Sequence, residues 1–152
     1  MSDTPFDALQ TRALAGVLDT LVPPSADGHL PGAGELGLAP GVAGKLGGAH
    51  TAIAKGLGAL DAAAREIGAA DFASLGAAAR ETLLRDYDRG DPGFVPGLVF
   101  HTYSAYYENE RVMAAIGLEP RPPYPLGYSL EQPDLDALVA KVRGGPKRYR
   151  EV

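Results

Sequence analysis

Between Val42 and Ile67 the apolar residues Val42, Leu46, Ala49, Ile53, Leu57, Leu60, Ala64 and Ile67 step by three or four positions. That is the period of an α-helix, and it lays an apolar stripe along one side of the coil. No stretch of the sequence alternates apolar and polar residues with period two, so no half-buried strand is expected. A chain patterned in this way buries its apolar surface by packing helix on helix. A single helix across the whole stretch is unusually long. The pair Gly47-Gly48 predicts a break or bend, because each interior glycine costs about 1 kcal/mol relative to alanine. Gly68 is the expected stop.

The same reading places further helices on either side. Thr4 is the expected cap of an opening helix, with Pro5 in its first turn, Asp7 at its positive end, and an apolar stripe of Phe6, Leu9, Leu14, Val17, Leu18 and Leu21. Pro23-Pro24 ends it. A helix over 74–89 has Ser74 as its cap and Leu75, Ala79, Leu83 and Tyr87 on one face, with Gly90 closing it. Asp91-Pro92-Gly93 is a turn. The next helix carries Phe94, Leu98, His101 or Thr102, and Ala105 on one side, and a short helix over 110–116 stops at Gly117. Pro133-Asp134 opens a last helix with Leu135, Leu138, Val139 and Val142, closed by Gly144-Gly145-Pro146. The expected fold class is all-α, a small irregular helical bundle with long Gly/Pro-rich loops. At 152 residues it is expected to be a single domain, 1–152. Within it lie a loop-rich segment at 22–48, a proline-rich surface segment at 117–133 and a basic tail at 144–152 that carries Lys147, Arg148 and Arg150.

Several function classes drop out on composition. A net charge of −5 argues against a nucleic-acid binder. With no cysteine there is no disulfide, no thiolate nucleophile and no cysteine-held zinc or iron–sulfur centre. No run approaches the roughly 18 apolar residues of a membrane span, so direct membrane insertion is not expected. Met1-Ser2-Asp3-Thr4-Pro5 shows no basic or apolar export signal, which points to the cytoplasm; the periplasm is the alternative if the chain is exported with a partner or has lost a signal.

Catalytic constellations are also missing. The three histidines, His29, His50 and His101, are not at helical ligand spacing, and no Glu-x-x-His motif of a di-iron bundle occurs. His29 is expected to be solvated in its loop, His50 to sit at a helix start or break, and His101 to be half-buried and hydrogen-bonded. Gly32-Ala33-Gly34-Glu35-Leu36-Gly37 spells G-x-G-x-x-G, but a dinucleotide site needs a strand before it, and Pro23–Pro31 is no buried strand. Asp86, Asp88 and Asp91 read as solvated helix-end carboxylates. Ser25, Ser74, Ser104 and Ser129 have no activating base in their context. The chain is expected to carry no catalytic residue, metal or cofactor of its own.

What remains is a set of tyrosines beside a proline run. Tyr106 and Tyr107 diverge by about 100° on a helix, so Tyr103, Tyr106 and Tyr107 cannot all face one core. Pro120, Pro122, Pro123 and Pro125 favour a stiff extended path, on which Tyr124 and Tyr128 ride. Tyrosine and arginine are enriched where proteins bind each other. Tyr107, Arg111, Arg121, Pro123, Tyr124, Pro125 and Tyr128 are therefore the candidate partner interface. The other reading is that these residues cover the domain's own core.

The chain resembles the subunit 3 family of gluconate 2-dehydrogenases, the small subunits of flavin-dependent sugar and alcohol dehydrogenases of the glucose–methanol–choline type. The resemblance runs through Leu21-Val22-Pro23, Gly56-Leu57-Gly58-Ala59-Leu60-Asp61, Phe72-Ala73-Ser74-Leu75, Leu83-Leu84, Tyr106-Tyr107, Ile116-Gly117, Pro123-Tyr124-Pro125 and Gly127-Tyr128, in that order. It implies a non-catalytic accessory subunit that supports folding, stability or export of a large catalytic partner holding FAD. A cytochrome c subunit in the same complex is a further implied partner. Many relatives carry an export signal, which Met1–Pro5 does not show. The alternative function is a free-standing helical module that binds a small molecule, with the loop at 22–48 as its lid.

Overall fold

Asp7, rather than Thr4, caps the opening helix. Its side chain accepts from the backbone N–H of Gln10 at 2.8 Å while the Gln10 side chain accepts from the N–H of Asp7, a reciprocal capping box. Helix α1 then runs Ala8–Leu21. The computed structural model describes residues 6–122, 124–129 and 133–146; Thr4, Pro5, Pro123, Lys147, Arg148 and Arg150 lie outside the described residues.

Six further helices follow: α2 (Ala39–Lys45), α3 (His50–Glu66), α4 (Ala77–Gly90), α5 (Phe94–Tyr107), α6 (Glu110–Ala115) and α7 (Leu135–Arg143). Two single 3-10 turns, Gly47–Ala49 and Phe72–Ser74, complete the regular structure, and no strand occurs among the described residues. The expected all-α bundle is what forms. The long periodic stretch breaks where its glycines predict: α2 ends at Lys45, Gly47 takes a positive φ of 50°, and α3 starts at His50. Gly68, at φ 86°, stops α3 in the left-handed conformation that glycine adopts without penalty.

The chain divides into two compact units, Met1–Arg121 and Pro122–Val152. In the first, α1 packs on α2, α3, α4 and the Phe72–Ser74 turn, and α5 packs on α2, α3 and α6. The core is built from Leu14, Val17 and Leu18 of α1, Ile53, Leu57 and Leu60 of α3, and Phe72, Leu84, Phe94, Leu98, Tyr106 and Val112. Each such side chain contributes about 1.5–3 kcal/mol on burial. Leu9, expected on the buried stripe of α1, is 57% exposed, and Ala13 and Gly16 take the inward positions.

Polar ties fix the helix ends. Asp61 is buried on α3, and its Oδ1 accepts from the backbone N–H of Phe72 at 2.9 Å. Asp71 caps the 3-10 turn through Ser74, so Ser74 serves this turn and Gly76 stands at the start of α4. Arg12 of α1 reaches Asp71 at 3.1 Å, and Arg80 of α4 reaches Asp19 of α1 at 3.1 Å. In the second unit the described residues form α7, with Asp134 accepting from the N–H of Ala137 at 3.0 Å, and the turn around Tyr124-Pro125, whose peptide bond is cis.

Candidate functional site

Helix α5 contains no charged residue from Phe94 to Tyr107. Pro96 is tolerated because it lies in the first turn, where its missing N–H has no intrahelical partner to lose. Residues four apart stack on one face. Phe94, Leu98, Thr102 and Tyr106 form the inward face and are buried. The Thr102 hydroxyl donates to Leu98 O at 2.7 Å, and the Tyr106 hydroxyl donates to Pro31 O at 2.9 Å, so neither polar group is buried without a partner.

The opposite side of the same helix is also apolar. Val95, Pro96, Val99, Phe100, Tyr103, Ser104 and Tyr107 line an open depression of about 780 Å³. Phe100 is 72% exposed, Tyr107 52% and Tyr103 43%. The rings of Tyr103 and Tyr107 stack with centroids 6.2 Å apart, and Tyr106 meets Tyr107 edge-on at 5.2 Å. The divergence of Tyr106 from Tyr107 is thus realised: one ring is core and the other is surface. Burial, with a smaller contribution from neighbouring Tyr107, raises the pKa of the Tyr106 phenol.

The residues expected at an interface are distributed over both units. Tyr107 belongs to the outer face of α5. Arg111 is exposed on α6, where its backbone N–H donates to Asn109 Oδ1 at 3.0 Å. The Arg121 guanidinium pairs with Glu119, at 2.9 Å through one terminal nitrogen. In the second unit Tyr124 is 85% exposed and Tyr128 41%, and Pro125 is exposed. Pro123 lies outside the described residues. Phe100, Val95 and Val99 were not singled out from the sequence. The signal for them was present: an uncharged helix that is apolar around most of its circumference has more apolar surface than one core contact covers.

The three histidines and Asp86 are scattered, and each makes a structural contact. His29 is exposed, yet its Nε2 lies 2.6 Å from Ala115 O at the end of α6, tying the loop to that helix rather than leaving it free in solvent. The ring of His50 packs on Phe6 at 4.3 Å. His101 is half-buried and edge-on to Phe100 at 5.5 Å. Asp86 pairs with Arg89 at 2.6 Å. Among the described residues no three His, Asp or Glu side chains converge on one point that could hold a metal.

The G-x-G-x-x-G run is a packing device. A Cβ on Gly32 would overlap the Asp19 carboxylate, and one on Gly34 would lie 2.7 Å from Asp19 Cβ and 2.8 Å from Ala15 O. Gly37 has φ 64°. The glycines let the loop lie flat on α1, with Ala33 fully buried and its N–H donating to Val22 O at 2.9 Å. Together with the Tyr106–Pro31 bond, these contacts hold the loop down. A lid over a pocket would have to break them.

No helix among the described residues is long and apolar enough to cross a membrane. A family model described as gluconate 2-dehydrogenase subunit 3 matches residues 8–119, almost the whole of the first compact unit. The chain belongs to that family. No curated protein and no solved structure matches the chain.

Proposed function

We propose that this member of the gluconate 2-dehydrogenase subunit 3 family is a non-catalytic accessory subunit of a flavin-dependent sugar, polyol or alcohol dehydrogenase. The observation that carries the reading is the family match over 8–119. The family is by name a subunit of a dehydrogenase complex. FAD and the catalytic residues then reside in a larger partner, and a cytochrome c subunit can share the complex. The small subunit acts by burying apolar surface against that partner, which supports its folding, stability or export. Binding only the folded partner stabilises it by mass action.

The proposed contact set includes Tyr107, Arg111, Arg121, Pro123, Tyr124, Pro125 and Tyr128. Support comes from the exposure of Tyr107 and Tyr124, which leaves apolar rings in contact with water. The test is recovery of the tagged chain from its native host, with an absorbance spectrum of the eluate. A co-purifying large chain with flavin bands near ~370 and ~450 nm is the expected result. A colourless, well-folded monomer would refute it.

A further inference from the structure

Helix α5 carries no charge and is apolar around most of its circumference, a wider apolar surface than a single buried stripe. Here the inner face is covered by α2 and α3, while the outer face lies open. Its rings contact one another or a neighbour on the helix: Tyr103 and Tyr107 are stacked on each other, and Phe100 meets His101 edge-on. Preformed aromatic surfaces lose little conformational freedom on association. None of the lining residues is charged; charges stand at the edges of the face, where Lys45 pairs with Glu108 at 3.2 Å and Val95 also borders Glu81, Arg85 and Asp88.

An aromatic residue presents about 150–250 Å². At the exposures of Phe100, Tyr103 and Tyr107, the open aromatic area is roughly 300 Å², the size of a functional patch on a monomer. A stable protein pair needs about 800 Å² from each side. The aromatic patch alone supplies less than half of that, so a protein held stably here must also contact neighbouring elements. A partner subunit, which membership of a dehydrogenase subunit family implies, can do so.

We propose that the outer face of α5, centred on Phe100 and Tyr103, seats the large flavin-bearing subunit, through a surface on that subunit that is apolar and uncharged at its centre. This rests on the accessory-subunit reading. It moves the centre of the interface away from the proline run and onto residues between Val95 and Tyr107. Because the contact is uncharged, association through it depends little on salt.

The test compares the full-length tagged wild-type chain with Phe100→Asp, with the milder Phe100→Ser, and with Leu9→Asp as a matched exposed apolar position on α1. Each is purified from the native host. The retained flavoprotein is identified by mass spectrometry and quantified by its flavin absorbance. The expected result is at least a tenfold loss of flavoprotein for Phe100→Asp and a smaller loss for Phe100→Ser. Leu9→Asp retains it as the wild type does, and circular dichroism and melting are unchanged throughout. Full retention by both Phe100 variants overturns the α5 proposal and leaves the accessory-subunit reading standing. If the wild-type chain retains no flavoprotein, that reading falls and the proposal with it. A wild-type homodimer that Phe100→Asp converts to monomer, seen by light scattering, assigns the face to a second copy and also overturns the proposal.

Discussion

The hydroxyl of Tyr106 donates to the carbonyl oxygen of Pro31 at 2.9 Å, joining residues 75 positions apart in the chain. This bond pins the glycine-rich loop to α5 from one side while Asp19 and Ala15 of α1 hold it from the other. The same helix therefore anchors the loop with one face and offers an open apolar surface with the other.

Tyr106→Phe keeps the ring and removes the donor, leaving Pro31 O without this partner. A loss of about 1 kcal/mol is expected, which lowers the melting temperature by about 3–5 °C. There is also a pH signature. Burial raises the Tyr106 pKa above the ordinary phenol value near 10, so the folded chain keeps a proton that the unfolded chain releases. Its contribution is complete below about pH 10 and declines as pH rises through and beyond that value. Denaturant unfolding at about pH 8 and about pH 10.5 checks this. The alkaline loss should shrink in Tyr106→Phe, with the residue due in part to Tyr87, which burial and Asp91 raise likewise.

How far this was legible in the sequence depends on whether the deciding force was local. The α3 stripe from Ile53 to Ala64, the break at Gly47 and the stop at Gly68 follow from periodicity and glycine conformation and form as read, whereas Ile67, expected on the same stripe, lies past the helix end and is 60% exposed. The split of Tyr106 from Tyr107 follows from helix geometry alone. The cap of α1 was misplaced because Thr4 and Asp7 both precede the helix, and only the reciprocal bond with Gln10 distinguishes them. The reason for Gly32 and Gly34 was hidden, since it lies in contact with Asp19 and Ala15 of another element. The open face of α5 was missed for a different reason. Periodicity identifies a buried side, but in a helix apolar around most of its circumference it gives no sign of how much of that surface the chain itself can cover.

Two glycines of α3 should respond in opposite directions to the same change. A Cβ at Gly56 would run into the ring of Phe94, which is itself buried. Gly56→Ala is expected to cost about 1–3 kcal/mol through overpacking. Gly58 is exposed on the same helix with open space around it, so Gly58→Ala should stabilise by about 0.5–1 kcal/mol through helix propensity. Urea midpoints measure both. Stabilisation by both substitutions would show that α3 and α5 do not meet at Gly56 as closely as described.

Asp61 should be sensitive to the loss of its acceptor more than to the loss of its charge. Its Oδ1 receives the Phe72 N–H at 2.9 Å, whereas Arg65 stands 3.9 Å from Oδ2. Asp61→Ala strands a buried backbone donor and is expected to cost about 1–3 kcal/mol. Asp61→Asn keeps a carbonyl acceptor in the same place and should lose clearly less. Equal losses in equilibrium unfolding would mean that the charge, not the hydrogen bond, holds the Phe72–Ser74 turn.

The second unit provides the complementary test of where docking ends. Tyr124 and Leu126 are 85% and 82% exposed, so their apolar surface makes little contribution to the fold. Changing Tyr124 and Tyr128 together to alanine should leave the helical circular dichroism signal nearly unchanged, because neither residue lies in a helix. If the proline segment belongs to the interface, the flavoprotein retained by the tagged chain should fall several-fold, because the residues whose truncation costs more than about 1 kcal/mol at interfaces are enriched in tyrosine. The loss should be smaller than that of Phe100→Asp, whose charge enters the uncharged centre of the α5 face. Retention equal to that of the wild type would confine docking to the Met1–Arg121 unit, and the proline segment would then lie outside the contact.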